Sequence, residues 1–296
     1  MLARGQRADF ITQHGLILTG LVEINTPAVV IREPAKLRSA DVLIIATKTS
    51  GTAEALAHLA HVDTGLAFSI QNGTMKDELL CAVFGSNRVL GSLADTSGEL
   101  LADGRVLFTR NVNLAIGELT GAMSSRAESV AATIDASGVR SSAVTDILSL
   151  EWSKFVTWVG MVAVSVMTRG VSWRYMTDPD AALLLVRMTR EMGKLADALG
   201  ITITDRAILP AASLCRGTEA DAVELVMRAG RASRVHAPDH RMSALQDVNA
   251  GRPLEIHETL GYALRKGMEH GVAMPLLDGF YRMLSAFERI REATVR

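Results

Sequence analysis

The chain has 296 residues, a length that suggests two domains or one large one. Hydrophobic residues make up 48% and charged residues 21%, a balance that excludes an intrinsically disordered chain. The 31 basic and 32 acidic side chains leave a net charge of −1, so the basic surplus typical of a nucleic-acid-binding protein is absent.

The two cysteines, Cys81 and Cys215, stand far apart in the sequence. This spacing excludes a disulfide scaffold and a cysteine-based zinc site, and it favours a reducing, cytoplasmic location. The longest apolar run, residues 155–167, falls short of the ~20 residues that a membrane helix requires, so a membrane is not an expected partner. A nucleic acid is not expected either, because the chain has no basic surplus. The seven histidines are scattered, and no metal site is expected.

Strands and helices alternate in the first half of the chain. Residues 41–46 form a continuous apolar run that predicts a parallel strand buried on both faces, and residues 66–70 predict another. Shorter strands are predicted at 16–18, 29–31, 89–92, 106–109 and 114–116, and helices at 52–61, 76–84 and 126–137. The alternation predicts a doubly wound α/β domain over residues 1–143.

The second half, residues 144–296, shows helical periods and almost no strand signal, which predicts an all-α domain. Asp178 before Pro179 is a typical helix start, and the apolar stripe that follows is closed by Gly200.

Three more helices are predicted further along. Thr218 and Asp221 have the spacing of a capping box. Asp239 is expected to cap a short helix, and Pro253 to open the next one.

Three polar residues lie where ligands of α/β proteins bind, at or near the carboxyl ends of strands. Asn72 either contacts a cofactor or substrate amide or forms an ordinary Asn-Gly turn. Lys48 either reaches a phosphate or is a loop charge. Arg4 either meets a 2′-phosphate or is a solvated terminal charge.

The helical half holds further candidates. Lys154 stands at the entrance of the most apolar segment, where a desolvated lysine can act as a general acid, although lysine also snorkels readily to the surface. Ser243, Gln246 and Asp247 share one helical face. Glu255 falls in the first turn of a predicted helix, where the helix dipole alone would explain a carboxylate.

The order of these motifs carries more information than any one of them. Lys-Thr at 48–49, Gln-Asn-Gly at 71–73, Glu-Trp-x-Lys at 151–154 and Ser-x-x-Gln-Asp-x-x-x-Gly-Arg-Pro-x-Glu-Ile at 243–256 together resemble the ketopantoate reductase (2-dehydropantoate 2-reductase) family. The His-Gly-x-x-x-Pro pattern at 270–275 is also similar to that family. The resemblance covers essentially the whole chain.

The resemblance implies a Rossmann-like domain that binds NADP and an enzyme that reduces a 2-oxo acid with NADPH. By this likeness Lys154 protonates the carbonyl oxygen, and Glu255 contacts the cofactor and substrate region and holds Lys154. Asn72 would lie between nicotinamide and substrate, and Lys48 and Arg4 near the cofactor, with Arg4 at the 2′-phosphate.

The resemblance also implies a substrate pocket, which departs from the family pattern. Ser243 matches a serine that contacts substrate, and His240 stands at a substrate-contacting asparagine position. Trp158, Val162 and Ser172 replace further family asparagines. A less polar, bulkier pocket is therefore expected, and with it a 2-oxo acid other than ketopantoate as an alternative substrate.

The glycine-rich turn G-x-G-x-x-G of a dinucleotide-binding domain is not found, and the chain is expected to begin partway into the family's first domain. An active reductase of pantothenate biosynthesis, a cofactor-deficient pseudoenzyme, a truncated gene product, a scaffold protein and another hydroxyacid dehydrogenase all stay open. The expected partners are a small 2-oxo acid and, as one form of assembly, a second copy in a homodimer.

Overall fold

The computed structural model describes residues 1–207 and 209–295, with side chains up to residue 291. Contacts between backbone positions divide the chain into two compact units. The first unit comprises Met1–Gln71 and Lys76–Ile147, and the second comprises Asn72–Met75 and the chain from Leu148 onward. The short segment Asn72–Met75 therefore belongs to the second unit, although both of its flanks belong to the first.

The first unit is an α/β structure with two sheets. Its elements are α1 (Gly5–His14), β1 (Leu16–Gly20), β2 (Ile24–Thr26), β3 (Ser39–Ile45), α2 (Thr52–Ala57), β4 (Asp63–Ser69), α3 (Met75–Phe84), β5 (Leu90–Leu100), β6 (Val106–Glu118), α4 (Ser125–Ala136) and β7 (Ser141–Ala143). One sheet has the order β2-β1-β6-β5 with β7 beside β6, and the other pairs β3 with β4 in parallel. The predicted alternation of strands and helices is confirmed.

Strand β6 is longer than the sequence pattern indicates. The runs at 106–109 and 114–116 are one strand, because β6 pairs antiparallel with β5 along its whole length. The polar stretch between them is accommodated by two register shifts, which leave Thr109 and Val112 of β6 without a register partner on β5, and by the ion pair between Arg110 and Asp95, at 2.7 Å. The strand predicted at 29–31 is wrong, since only Ile31 forms an isolated bridge, to Leu2.

Strand β3 is not buried on both faces as predicted. Leu43 and Ile45 pack on the core, whereas Val42 and Ile44 are 38% and 47% exposed. Successive side chains of a strand point to opposite faces, and only one face of β3 is covered. Hydrophobic composition alone did not reveal which face would be left open.

The second unit is all helical. Its elements are α5 (Ile147–Thr168), α6 (Ser172–Thr177), α7 (Pro179–Ala198), α8 (Ala211–Cys215), α9 (Glu219–His236), α10 (Ser243–Asn249), α11 (Leu260–Glu269) and α12 (Pro275–Val295). Both predicted caps are confirmed: Asp178 accepts from the Ala181 N–H at 2.9 Å, and Thr218 from the Asp221 N–H at 3.1 Å.

Helix α5 runs through the core of the second unit. It is long and apolar enough to cross a membrane by length and composition alone, but 89% of its most apolar window is buried inside the protein. From Ser149 to Val166 every residue is buried except Lys154 and Trp158. The helix is therefore a core helix that is open at two neighbouring positions.

Two predicted helix starts are wrong. Helix α10 begins after Met242, which makes no side-chain cap, so Asp239 does not cap it. Pro253 lies in a loop, and α11 begins only at Leu260. The reason is tertiary: Leu254 is buried in the core and its N–H donates to Glu288 on α12 at 2.5 Å. Glu255 thus lies in a loop, where a helix dipole does not explain its carboxylate.

Candidate active site

The second unit brings two predicted residues together. The Lys154 ammonium donates to the Asn72 side-chain oxygen, with the two atoms 3.4 Å apart. Lys154 lies near the start of α5, and both side chains are half-buried. A neutral amide thus holds the ammonium of Lys154, which is one of the two residues of the core helix that are not fully buried.

The turn at Gly73 fixes this pair. Gly73 has a φ of +82°, a conformation that a residue with a Cβ rarely adopts. A Cβ there would also lie 3.4 Å from the Thr259 methyl group and 3.7 Å from the Phe155 ring. The Asn-Gly turn is therefore packed between α5 and the loop before α11, which orients Asn72.

Glu255 lies on that same loop. The Thr259 hydroxyl donates to the Glu255 carbonyl oxygen at 2.5 Å, and the Glu255 side chain is half-buried. Since Thr259 also contacts the Gly73 turn, the structure brings the Lys154, Asn72 and Glu255 segments into one region of the second unit.

Three residues clamp the loop that carries Glu255. Arg252 donates to the buried Asp247 carboxylate at 2.8 Å, and Glu288 accepts from the Leu254 N–H. Asp247 is thus turned inward, while Gln246, expected on the same face, is exposed and donates to the Arg241 carbonyl. The sequence patterns did not identify Glu288, because its partner Leu254 lies 34 residues away and no local motif indicates that hydrogen bond.

Ser243 and His240 lie at and before the start of α10. Ser243 is the first residue of the helix and is half-buried. His240 is exposed, and its Nδ1 lies 2.8 Å from the Ser172 hydroxyl, to which the buried Tyr175 donates at 3.2 Å. The Ser172 hydroxyl thus joins the buried Tyr175 phenol to the exposed His240 imidazole.

The two substitutions on α5 have different surroundings. Trp158 is half-buried, one turn beyond Lys154. Val162 is only 2% exposed and packs in the core. The expectation that both side chains make the pocket bulkier is therefore corrected for Val162, because the neighbouring helices cover that turn of α5.

In the first unit, Lys48 follows β3 and is exposed. The buried Gln71 amide nitrogen shares its two hydrogens among three acceptors, the carbonyl oxygens of Lys48 and Thr47 at 2.9 and 3.0 Å and the Thr52 hydroxyl at 2.8 Å. This side chain links the carboxyl ends of β3 and β4 and gives the Lys48 loop one conformation.

Arg4 lies directly before α1 and lines a depression of about 600 Å³, also in the first unit. The other cationic or titratable nitrogen groups around it come from Arg32, His58 and His61. Glu33, also in the lining, is offset by Lys36 at 2.6 Å. Arg32 itself pairs with Asp9 at 2.8 Å. The depression has the chemistry of a site for an anionic group.

Residues 1–207 and 209–295, the parts of the chain that the structure describes, contain no cluster of three or more His, Cys, Asp or Glu side chains that would hold an ion.

Two family models match the chain. The model described as "Ketopantoate reductase PanE/ApbA" matches residues 1–121, and "Ketopantoate reductase PanE/ApbA C terminal" matches residues 146–288. A 2-dehydropantoate 2-reductase of Archaeoglobus fulgidus is 26% identical over 271 residues, which is 92% of this chain and 83% of the relative.

Solved structures agree on the fold. A D-mandelate dehydrogenase, described in complex with NADH and anilino(oxo)acetate, superposes with a TM-score of 0.82 at 17% identity, covering 98% of this chain and 91% of the other. A ketopantoate reductase from Staphylococcus aureus, described as dimeric, gives 0.71 at 20% identity over 93% and 87% of the two chains.

These likenesses define the class first: a Rossmann-like α/β unit followed by a helical unit, as predicted. Because the two family models together match most of its length, the chain belongs to the ketopantoate reductase family. The resemblance seen in the motifs is confirmed.

Proposed function

We propose that this protein reduces a 2-oxo acid to the corresponding 2-hydroxy acid with NADPH, and that Lys154 is the proton donor. The observation that carries the proposal is the pair of Lys154 and Asn72, held at 3.4 Å at an opening in an otherwise buried helix. Family membership supports the reaction type, and the name of the Archaeoglobus relative supports an oxo acid as substrate.

The chemistry of the pair suits this reaction. When bound, the reduced nicotinamide supplies a hydride to the carbonyl carbon. Negative charge then develops on the carbonyl oxygen, where the Lys154 ammonium stabilises it and transfers a proton. Asn72 orients the ammonium through its side-chain oxygen. Glu255, on the loop that packs against the Asn72 turn, is proposed to hold Lys154 and to contact the cofactor and substrate.

The first unit has residues that suit one end of a nicotinamide dinucleotide, the end that carries the 2′-phosphate. The guanidinium of Arg4 in this depression suits a 2′-phosphate, and Lys48 follows a strand end where cofactors bind. We therefore assign the 2′-phosphate to Arg4 and infer a preference for NADPH. The D-mandelate dehydrogenase neighbour is described with NADH, so the choice between the two cofactors is a point to measure.

Substrate contacts are proposed for Ser243 and His240 in addition to Lys154 and Asn72. Hydroxyl and imidazole groups both form hydrogen bonds with substrate oxygens. 2-Dehydropantoate, which the Archaeoglobus relative is named for, is one candidate substrate and would place the enzyme in pantothenate biosynthesis.

The deciding experiment is the oxidation of NADPH, followed at 340 nm, with a panel of 2-oxo acids and the full chain. Lys154→Ala is expected to lower kcat by roughly 10²–10⁴-fold, the usual contribution of a positioned general acid. Lys194→Ala, which removes an exposed lysine of α7, is the matched control and should change nothing. Equal turnover in Lys154→Ala and wild type would remove Lys154 from this role, and no NADPH binding in a fluorescence titration would contradict the reductase itself.

We also propose a cytoplasmic homodimer. The Staphylococcus neighbour is described as dimeric, and both cysteines are free thiols, as a reducing compartment would keep them. Light scattering coupled to size-exclusion chromatography tests the assembly, because a mass near 32 kDa would show a monomer and twice that mass a dimer.

A further inference from the structure

Helix α5 is accessible at two positions that form one surface. Between Ser149 and Val166 only Lys154 and Trp158 escape burial. Residues four apart lie on the same face of a helix, with Cβ atoms about 5–6 Å apart. Trp158 is therefore the side chain of α5 that any small molecule held at the Lys154 ammonium meets next.

The indole of Trp158 has a distinct chemical character. Part of the ring packs against the core of the second unit, and the rest is open. Within the described part of the chain its N–H has no hydrogen-bond partner. Tryptophan offers one donor and no acceptor, so this wall presents an aromatic surface that cannot accept a hydrogen bond from a hydroxyl.

Resting on the proposed function, we propose that Trp158 determines the substrate class: a 2-oxo acid whose substituent is apolar, with an aromatic ring preferred over a hydroxyl-bearing chain. To be protonated, the carbonyl oxygen must come within about 3 Å of the Lys154 Nζ. The carbonyl carbon carries the carboxylate and the substituent, each one bond away. The charged carboxylate needs hydrogen-bond donors such as those proposed above, so the substituent is the group that suits the indole. An aromatic substituent can stack on the face of the ring. A hydroxyl over that face loses water and finds no acceptor there, because the indole forms hydrogen bonds only through the N–H at its edge.

The discrimination between oxo acids that one apolar contact can produce has a known upper limit. A single added group in an apolar pocket changes kcat/KM by roughly 10–200-fold, and an added hydroxyl is rejected by no more than about 100-fold. We expect wild type to favour phenylglyoxylate over 2-dehydropantoate by about tenfold in kcat/KM, near the lower end of that range. 3-Methyl-2-oxobutanoate, which lacks both ring and hydroxyl, should fall between them.

The test compares these three oxo acids with NADPH in wild type and in variants of Trp158. Trp158→Phe should keep the preference for the aromatic acid. Trp158→Asn should lower the phenylglyoxylate to 2-dehydropantoate ratio by about tenfold, mainly through KM, because a uniform binding contact is lost. The Kd for NADPH should stay within a factor of two in every variant, since the phosphate is assigned to residues of the first unit and Trp158 belongs to the second.

Phe280 provides the matched control. It lies on α12 and is half-buried against the same core as Trp158. Phe280→Asn makes the same kind of change, from an aromatic ring to an amide, at a different place in the second unit. It should leave the kcat/KM ratios among the three oxo acids unchanged.

The outcomes separate the inference from the function on which it rests. Turnover of oxo acids with the same ratio in wild type and Trp158→Asn overturns the role of Trp158 and leaves the reductase intact. Loss of all turnover overturns the reductase, and calorimetric binding of phenylglyoxylate and 2-dehydropantoate then decides about Trp158. If Trp158→Asn does not fold, Trp158→Leu replaces it in the test. In that variant kcat/KM for phenylglyoxylate must fall relative to 2-dehydropantoate, while the preference for 3-methyl-2-oxobutanoate over 2-dehydropantoate is retained.

Discussion

Single residues in this protein are oriented by neighbours that lie far along the chain. Tyr175, Ser172 and His240 show the effect: a buried phenol donates to a serine, whose oxygen lies 2.8 Å from Nδ1 of an exposed imidazole. Lys154 and Asn72, 82 positions apart, form another such pair. At this scale, the function proposed for a side chain depends on the hydrogen bonds that hold it in place.

Tyr175 makes stability depend on alkaline pH. Burial raises the pKa of Tyr175 from 10 to about 12. The raised pKa favours the neutral phenol in the folded state, so its contribution is fully present below pH 10 and is lost as pH rises to 12. Two pKa units correspond to about 3 kcal/mol. Tyr175→Phe should therefore unfold at higher pH than wild type in alkaline titrations followed by circular dichroism, and an identical midpoint would contradict this.

Arg4 is the residue that the 2′-phosphate assignment depends on. Arg4→Ala should raise KM for NADPH by roughly tenfold and leave KM for NADH unchanged, because charge-assisted contacts are worth about 1.5–3 kcal/mol and only NADPH carries the phosphate. Arg38→Ala, another exposed arginine of the first unit that is absent from the depression, is the control. An equal rise in KM for NADPH and for NADH would contradict the assignment of the 2′-phosphate to Arg4.

At the scale of elements, helix packing decides whether glycine or alanine gives the more stable protein at a position inside a helix. Gly193 on α7 faces Cys215 of α8, and a Cβ added there would lie 2.5 Å from the sulfur. Gly279 on α12 has open space around it. Both are helix-interior positions, so the intrinsic propensity of alanine is the same at each and only the packing differs.

Two alanine substitutions test this difference. Gly193→Ala should destabilise by about 1–3 kcal/mol, the usual cost of overpacking. Gly279→Ala should stabilise by up to ~1 kcal/mol, the helix propensity difference. Urea denaturation measures both, and the Gly193→Ala, Cys215→Ala double variant should recover part of the loss. If both single variants shift stability in the same direction, the close approach of α7 and α8 is contradicted.

At the scale of the molecule, each unit has its own core. The helical unit has one continuous cluster built around α5 and α7. The α/β unit has two smaller clusters, one on the β3–β4 pair and one on the larger sheet. Because buried apolar area provides most of the driving force for folding, the helical unit is expected to be the more stable of the two.

The cysteines report on the units separately, since Cys81 lies in the first and Cys215 in the second. In pulsed thiol labelling across a urea series, Cys81 should become reactive at a lower urea concentration than Cys215. The thiol pKa values are raised in both cases, to about 11 for Cys215, mainly by burial, so labelling reports unfolding. Coincident labelling midpoints would show one cooperative transition instead.

The sequence by itself determined what depends on neighbours in the chain. Asp178 and Thr218 cap helices because their side chains reach backbone groups three residues on, and the Asn-Gly turn needs only its glycine. The alternation of strands and helices, and the ordered motifs that indicate the family, were equally readable.

The tertiary structure alone decided what depends on distant partners. Glu288 holds the loop at Leu254 and so prevents the helix that Pro253 suggested. The covering of one face of β3 leaves Val42 and Ile44 exposed, and the packing around α5 buries Val162 but leaves Trp158 open. In each case burial and hydrogen-bond satisfaction are settled by segments tens of residues away, which a local pattern does not contain.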